Sequence, residues 1–377
     1  KDPIPSDLKL KIDECEYNNK LIYRYQLIVD DLYLILFNDF YENSKNDFIK
    51  NTSKKFPDSN ANDIYIELKK LLKKLIPISE KPTNKFIIPK NLKKFKFKLG
   101  DIYFTINYND LKIINTVISQ LFHLKDNTNI KSKNYYVFEA NGSYYLNNDS
   151  ENIGFWNENE IHYLTGKLLS LIMCDFHSVE EENWSGFLHA SAVSKDSNAF
   201  VIVGESGSGK STSCAILSKK SFNLLSDDIT PISREGKIGN FPNSISIKEP
   251  SFKKINDLFD KEKLSDIINV DKGKIKYLNP SGFSSFIPKT VNCTNIIRIK
   301  YDPKSDNSLN QVELKDLLPL IVNESFFPTN SESVNAFMNW YMNCQCYILN
   351  YSNDDSLINF LEKINDCSIP NNINSSH

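Results

Sequence analysis

The stretch from Ala199 to Lys220 constrains the fold more than any other part of the chain. Residues 199–203 (AFVIV) are all apolar, as a strand buried on both faces requires. They run directly into Gly204-Glu205-Ser206-Gly207-Ser208-Gly209-Lys210-Ser211, a complete GxxxxGK[ST] sequence. Thr212–Lys220 (TSCAILSKK) follows and predicts a helix. Strand, glycine-rich loop and helix in that order form a P-loop. Glycine permits a positive φ with no side chain in the way. Successive amide N–H groups can then turn inward around phosphate oxygens, and the helix N-terminus adds partial positive charge. Lys210 would reach the β- and γ-phosphates, and the Ser211 hydroxyl would ligate Mg²⁺. Only 12 residues of 377 are Gly, and even at average Gly usage a chance match is on the order of one in a hundred or less. Residues Gly204 to Thr212 are therefore expected to bind nucleotide phosphate. The motif alone does not separate a kinase from an ATPase.

The next element narrows the chemistry. Phe222–Ser226 (FNLLS) predicts a strand that ends in Asp227-Asp228, 18 residues after Gly209. That spacing leaves room for one short helix and one strand. It brings the acids to the carboxyl end of a strand expected beside the P-loop strand, where open α/β sheets bind ligands. One Asp would hold Mg²⁺, directly or through water, and the other would accept a proton from an acceptor hydroxyl. Two adjacent carboxylates repel, so a metal or a shared proton is the natural way to keep them together. The competing reading is a strand-end turn, which Asp favours. Phe187–Val193 predicts a further strand, with His189 near its start as a candidate catalytic group or a structural histidine. Phe241–Lys248 predicts another, with Lys248 either neutralising a transferred phosphate or simply exposed. Glu205 is expected to face solvent or the acceptor.

A net charge of −2 argues against a broad nucleic-acid-binding face. The basic run Lys90–Lys98 (KNLKKFKFK) alternates with apolar residues and reads as a strand with a solvated lysine face. Seven Cys without a CxxC pair suggest neither a zinc site nor a disulfide framework. No apolar run reaches the ~18 residues of a membrane span, and KDPIPSD at the start lacks a signal-peptide core. A cytoplasmic setting, without membrane or nucleic acid as partner, is expected. Lys outnumbers Arg by 42 to 3, which leaves Arg24, Arg234 and Arg298 as the only guanidinium groups.

Two domains suit this length. Strands are expected within 21–37, a polar loop over 42–62, and a short helix over 63–75. Alternation returns over 94–107, a helix is expected over 110–124, and a hairpin over 135–146 turns at Asn141-Gly142. Residues 158–177 carry Ile161, Leu164, Leu168, Ile172 and Phe176 at helical spacing, with Asn157 as a candidate cap. The division adopted is an N-terminal α+β domain, 1–150, for substrate recognition or packing, and an α/β catalytic domain, 151–377. The last residues, SIPNNINSSH, form a polar tail.

The strings LHASAV, VIVGESGSGKST and LLSDDITPI, followed by FPNSISIKE, resemble the catalytic domain of HPr kinase/phosphorylase. They are closer still to HPr-kinase-related proteins among bacterial tailoring enzymes, which include kinases of ribosomally made peptides. The close match covers about residues 187–250, and a looser pattern extends from about 95 to 365. The resemblance implies a P-loop kinase core similar to phosphoenolpyruvate carboxykinase. It implies proton transfer by the Asp nearest the phosphates and Mg²⁺ held by the P-loop hydroxyl and an acidic group. Carried over by position, the catalytic residues are Asp228, Asp227, His189 and Lys210, and the metal residues are Ser211 and Asp227. HPr kinases are hexameric, so a homo-oligomer is an expectation by fold analogy. Two departures stand out. Thr212 replaces the Glu that HPr kinases carry after the P-loop Ser, and no arginine-bearing loop follows late in the chain. Both detach the site from HPr and from phosphorylase activity.

The expected activity is ATP- and Mg²⁺-dependent transfer to a hydroxyl acceptor: a Ser or Thr of a peptide or protein, or a small molecule. An ATPase of the transporter type would carry an LSGGQ-like signature and a distant Asp-Glu strand end, and neither is present. An adenylylsulfate-kinase-like enzyme would need an arginine-bearing lid, for which three Arg offer no obvious source.

Overall fold

The computed structural model of the chain describes residues 16–17, 20–21, 43–55, 57, 60–66, 88–140, 142–149, 151–270, 273–280, 288–323, 325–328 and 330–368. The polar segment 42–62, expected as a loop, carries helix α1 (Lys45–Lys55). Ser44 starts it by accepting from the Asp47 amide at 3.3 Å. Asp47 in the first turn and Lys54 and Lys55 in the last complement the helix dipole. Its apolar face is thin, with Phe48 buried against Tyr65, so hydrophobic periodicity did not reveal it. Residues 61–66 are helical. The remainder of the expected 63–75 helix, the expected strands of 21–37 beyond Leu21, Arg24 and the tail after Ser368 lie outside the described residues.

Five strands follow: β1 (Lys93–Leu99), β2 (Ile102–Tyr108), β3 (Lys133–Ala140), β4 (Ser143–Asn148) and β5 (Asn152–Trp156). They lie side by side in chain order. Only β2 and β3 are parallel, and helix α2 (Leu111–Gln120) makes their crossover. The lysine-rich strand behaves as its alternation requires: Phe95, Phe97 and Leu99 are buried, while the lysines between them reach solvent. Gly142 takes a φ of +76° at the β3–β4 turn, which favours glycine. Helix α3 (Ile161–His177) comes next, preceded by a 3₁₀ turn over 158–160. The Glu160 carboxylate accepts from the Asn157 amide at 3.1 Å, closing the helix start as in a capping box.

Leu164, Leu168, Ile172 and Phe176 of α3 are buried in one core with Phe97, Phe104 and Leu146 of the five-stranded sheet. The sequence-based division at 150/151 therefore runs between β4 and β5, which pair from Tyr144–Trp156 to Asn147–Asn152. Residues 151–177 pack with the first sheet, because that is where the apolar stripe of α3 finds its partner surface.

The rest of the described chain builds a mixed α/β layer structure. Its elements are β6 (Trp184–Leu188), β7 (Ser191–Lys195), β8 (Asn198–Val203), α4 (Lys210–Lys220), β9 (Asn223–Ser226), β10 (Thr230–Ser233), β11 (Lys237–Gly239), β12 (Ile245–Lys248) and α5 (Phe252–Leu258). After these come β13 (Ile268–Val270), β14 (Gly273–Leu278), β15 (Thr290–Tyr301), β16 (Ser308–Val312), α6 (Leu314–Asn323), α7 (Ser331–Met342), β17 (Gln345–Tyr351) and α8 (Asp354–Ser368). Nine strands share one sheet, ordered β9-β7-β8-β15 on one side, with β17 and β16 beyond β15 and β11-β10-β6 branching from its start. Strands β8, β15 and β17 are mutually parallel.

Successive side chains of β8 point to opposite faces. Phe200 and Ile202 pack with α4 and α8, and Ala199, Val201 and Val203 pack with α6 and α7. This explains the unbroken apolar run 199–203: both faces are covered, and each large side chain so buried is worth about 1.5–3 kcal/mol.

Three expected strands differ. Phe187–Val193 is two strands, β6 and β7, with a bend at His189-Ala190, because β6 turns aside to pair with β10. Strand β9 is not beside the P-loop strand, since β7 lies between them. The two-residue turn Asp196-Ser197, with Asp196 at φ +55°, folds β7 back onto β8 as a hairpin and takes that position first. Finally, Phe241–Lys248 is a strand only over Ile245–Lys248, in a separate sheet ordered β12-β14-β13. Among the described residues no helix is long and apolar enough to cross a membrane.

Candidate active site

The loop between β8 and α4 has the backbone that its glycines imply. Gly204, Gly207 and Gly209 take φ values of +153°, +90° and +104°. Gly209 caps α4, and a Cβ there would lie 3.1 Å from the Tyr351 hydroxyl. Tyr351 in turn bonds Ser213 at 2.7 Å. The Tyr301 amide donates to Ser208 O at 3.1 Å, fastening the loop to the end of β15. Lys210 is buried, and its ammonium folds over the loop to donate to Gly204 O at 2.5 Å. Lys248, at the end of β12, reaches in to donate to Ser206 Oγ at 2.7 Å. The two lysines thus meet at the loop. Thr212 does not join them through its side chain: its hydroxyl bonds Ser251 at 2.8 Å, at the start of α5.

The acids sit across β7 from the loop. Asp227 is fully buried. Its Oδ1 accepts from Ser191 Oγ at 2.5 Å and its Oδ2 from the Ser246 amide at 2.9 Å. The Ser211 hydroxyl lies near this carboxylate and helps to hold its pKa down. The strand between the acids and the P-loop strand is bridged at Ser191, the β7 residue that the Asp227 carboxylate bonds. Burial, and then the neighbouring Asp228, push the Asp227 carboxyl up to about 6, opposed by Ser191, the Ser246 amide and Ser211.

Asp228 points elsewhere. Its backbone is left-handed at φ +72°, a region that non-glycine residues rarely occupy. The side chain is 45% exposed, with Oδ1 3.4 Å from His189 Nδ1. Thr230 holds this corner: its hydroxyl donates to Ala190 O at 2.9 Å, and Ser226 Oγ bonds Thr230 Oγ1 at 2.8 Å. The turn that carries Asp228 is thereby tied to the bend that carries His189. Strain of this kind persists where surrounding bonds over-determine it.

Residues 240–246 form a brace, of which 241–244 differ from the expected strand and 245–246 begin β12. The Asn243 side chain bonds both backbone groups of Asp227, accepting from its amide at 3.3 Å and donating to its carbonyl at 2.8 Å. The brace is anchored on the other side to α2, the turn after it and α3, the helices packed on the first sheet. The Ser244 amide donates to Gln120 O at 2.8 Å. His123 Nε2 donates to Pro242 O at 3.0 Å, and His123 Nδ1 accepts from Ser244 at 2.9 Å. His177 Nε2 donates to Asn240 O at 2.9 Å. Burial pushes the His123 pKa down to about 4 and that of His177 down as well.

Sequence reasoning missed Ser191, Asn243 and Ser246, which hold Asp227. It also left Arg298 unassigned. Arg298 lies on β15 beside Val203 and ion-pairs with Glu205 inside the loop. Arg234 is spent on the surface, bonding Glu332 and the Glu182 carbonyl.

The residues present suit Mg²⁺ and a polyphosphate. A hydroxyl close to a carboxylate, Ser211 near Asp227, is an all-oxygen pair that a hard cation prefers, and Mg²⁺ draws its other ligands from water and phosphate. The Ser208 hydroxyl is buried inside the loop without a hydrogen-bond partner.

No protein-family model matches the sequence, and no curated protein matches it. Among solved structures, the HPr(Ser) kinase/phosphatase from Coxiella burnetii is similar at 11% identity, over 48% of this chain and 99% of that one, with a TM-score of 0.25. The likeness is distant.

Proposed function

We propose that the chain is a kinase of the HPr-kinase type that transfers the γ-phosphoryl group of ATP to a hydroxyl acceptor, with Mg²⁺ as its metal. The observation that carries this reading is the division of labour between the two adjacent acids. Asp227 is buried, held by Ser191 and the Ser246 amide and close to Ser211, whereas Asp228 is open to solvent beside His189. A simple ATPase would need no solvent-facing carboxylate held in a strained backbone next to an imidazole.

In this account the loop amides, Lys210 and the α4 N-terminus hold the phosphates, and Lys248 adds a second ammonium. Asp227 fixes the orientation of Ser211, and Ser211 would hold the metal. Bound there, Mg²⁺ would neutralise phosphate charge. Asp228 accepts the acceptor's proton as the hydroxyl oxygen bonds to the γ-phosphorus and the bond to the β-phosphate oxygen breaks. ADP leaves, and the proton resides on the Asp228 carboxyl until solvent removes it. His189 orients Asp228. A general base of this kind contributes ~10²–10⁴-fold. The acceptor we infer is a Ser or Thr of a peptide or protein, with a small-molecule hydroxyl as the alternative. The first sheet and its helices, braced against residues 240–246, would present it.

The test is transfer from γ-labelled ATP with Mg²⁺ to peptide, protein and small-molecule acceptors. Label should move to one acceptor class and be lost in Lys210→Ala and Asp228→Asn. Release of free phosphate with no labelled acceptor in any class would point to an ATPase, and no nucleotide binding would remove the reading altogether.

A further inference from the structure

Glu205 and Arg298 meet at the mouth of the P-loop. Arg298 pairs in register with Val203, the last residue before the loop, and its Nη2 donates to Glu205 Oε1. Its own backbone amide first, and then the Arg298 and Lys210 charges, hold the Glu205 carboxyl below the ordinary range against the effect of burial. A guanidinium at the loop mouth with an ammonium nearby is the kind of partner that phosphate oxygens also use, so the Glu205 carboxylate competes for a partner a phosphate could take.

We propose that Arg298 is a phosphate-binding residue of this site and that Glu205 masks it until a polyphosphate displaces the carboxylate. The inference rests on the nucleotide reading above. It assigns Arg298, on the far side of the P-loop strand from Asp227 and Asp228, as the guanidinium of the site. The chain thus has an arginine at the phosphates without the late arginine-bearing loop of HPr kinases. The exchange is balanced: one anion leaves the guanidinium as another arrives, so Arg298 is never left unpaired.

The competing account is a plain surface ion pair, since the Arg298 and Glu205 side chains are 38% and 59% exposed. The two accounts predict different signs. If the pair only braces the loop, removing either partner deletes the same bond, and both variants weaken nucleotide binding or neither does. If Glu205 masks Arg298, removing Glu205 takes away a competitor and removing Arg298 takes away a ligand.

The experiment measures Kd for Mg·ATP and for inorganic tripolyphosphate by calorimetry, on wild type, Glu205→Gln, Arg298→Met, Arg298→Lys and the Glu205→Gln/Arg298→Met double variant. Glu205→Gln should bind both ligands several-fold more tightly. Arg298→Met should bind about tenfold more weakly, the scale of one charge-assisted hydrogen bond, and Arg298→Lys should recover part of that loss. The double variant should keep only part of the Glu205→Gln gain when compared with Arg298→Met, because the main masked target is gone. Both residues are exposed, so melting temperatures should stay near wild type. Single variants that shift Kd in the same direction, or a double variant that keeps the full gain of Glu205→Gln, would overturn the proposal while leaving the nucleotide site intact. Wild type that binds neither ligand would overturn the nucleotide reading and this inference with it.

Discussion

His123 offers a quantitative check on how the first sheet is joined to the catalytic brace. Its two ring nitrogens are committed in one tautomer, Nε2 donating to Pro242 O and Nδ1 accepting from Ser244. Protonation would remove the acceptor and place a charge where burial opposes it. The pKa accordingly falls from 6.5 to about 4. Between those values the unfolded chain binds a proton that the folded chain refuses, so stability is full above pH 6.5 and is lost as pH falls toward 4. With these two pKa values, moving from pH 7.5 to pH 5 costs on the order of 2 kcal/mol at this one residue. His123→Gln removes the titration while keeping an amide that can donate to Pro242 O. At pH 7.5 the variant should be the less stable protein by about 1 kcal/mol, for the lost Ser244 bond. At pH 5 the gap should close or reverse, because only wild type loses the titration term. His177 shifts in the same direction, but it is present in both proteins and cancels in the difference. The assay is thermal unfolding of the pair at both pH values, where the relative shift should be roughly 2–3 °C for a chain of this length. A gap that stays constant with pH, or widens on acidification, would show that His123 is not held neutral in the brace.

Further outcomes follow from the same contacts. Asn243→Ala strips both backbone partners from Asp227 in a buried setting and should cost about 1–3 kcal/mol of stability, read by urea unfolding, with transfer activity reduced beyond what the lost stability explains. Gly209→Ala forces a side chain into φ +104° against the Tyr351 hydroxyl, and calorimetry should find Mg·ATP affinity lowered at least tenfold, a scale set by ~1–3 kcal/mol of backbone strain. Thr212→Val should leave Mg·ATP affinity within about threefold of wild type, since its hydroxyl serves Ser251 and a surface hydrogen bond is worth ~1 kcal/mol or less.

What the sequence disclosed was local. The P-loop is contiguous, and strand, loop and helix are each encoded within Ala199–Lys220, so the structure agrees there to within two residues: the strand starts at Asn198 and the helix at Lys210. Helix α3 and the lysine-faced β1 were legible for the same reason, as each announces its buried face by its own period. Long-range pairing was not legible. Arg298 meets Glu205 only because β15 runs parallel to β8, and nothing near either residue encodes that. The brace at residues 240–246 misled the reading because its apolar and small residues alternate as a strand would. Its hydrogen bonds go instead to Gln120, His123 and Asp227, partners more than fifteen positions away in the chain. The hairpin at Asp196-Ser197 is local and short, and it alone moves β9 one place outward. Helix α1 escaped because a single buried ring, Phe48, supplies most of its apolar face.

The central claim is that Asp228 performs proton transfer at a site whose nucleotide is held by other residues. The most direct measurement is Mg·ATP affinity and γ-phosphoryl transfer, taken in parallel on wild type and Asp228→Asn. Affinity should stay within about threefold, while transfer should fall by ~10² or more. Transfer that survives in Asp228→Asn at the wild-type rate would contradict the account.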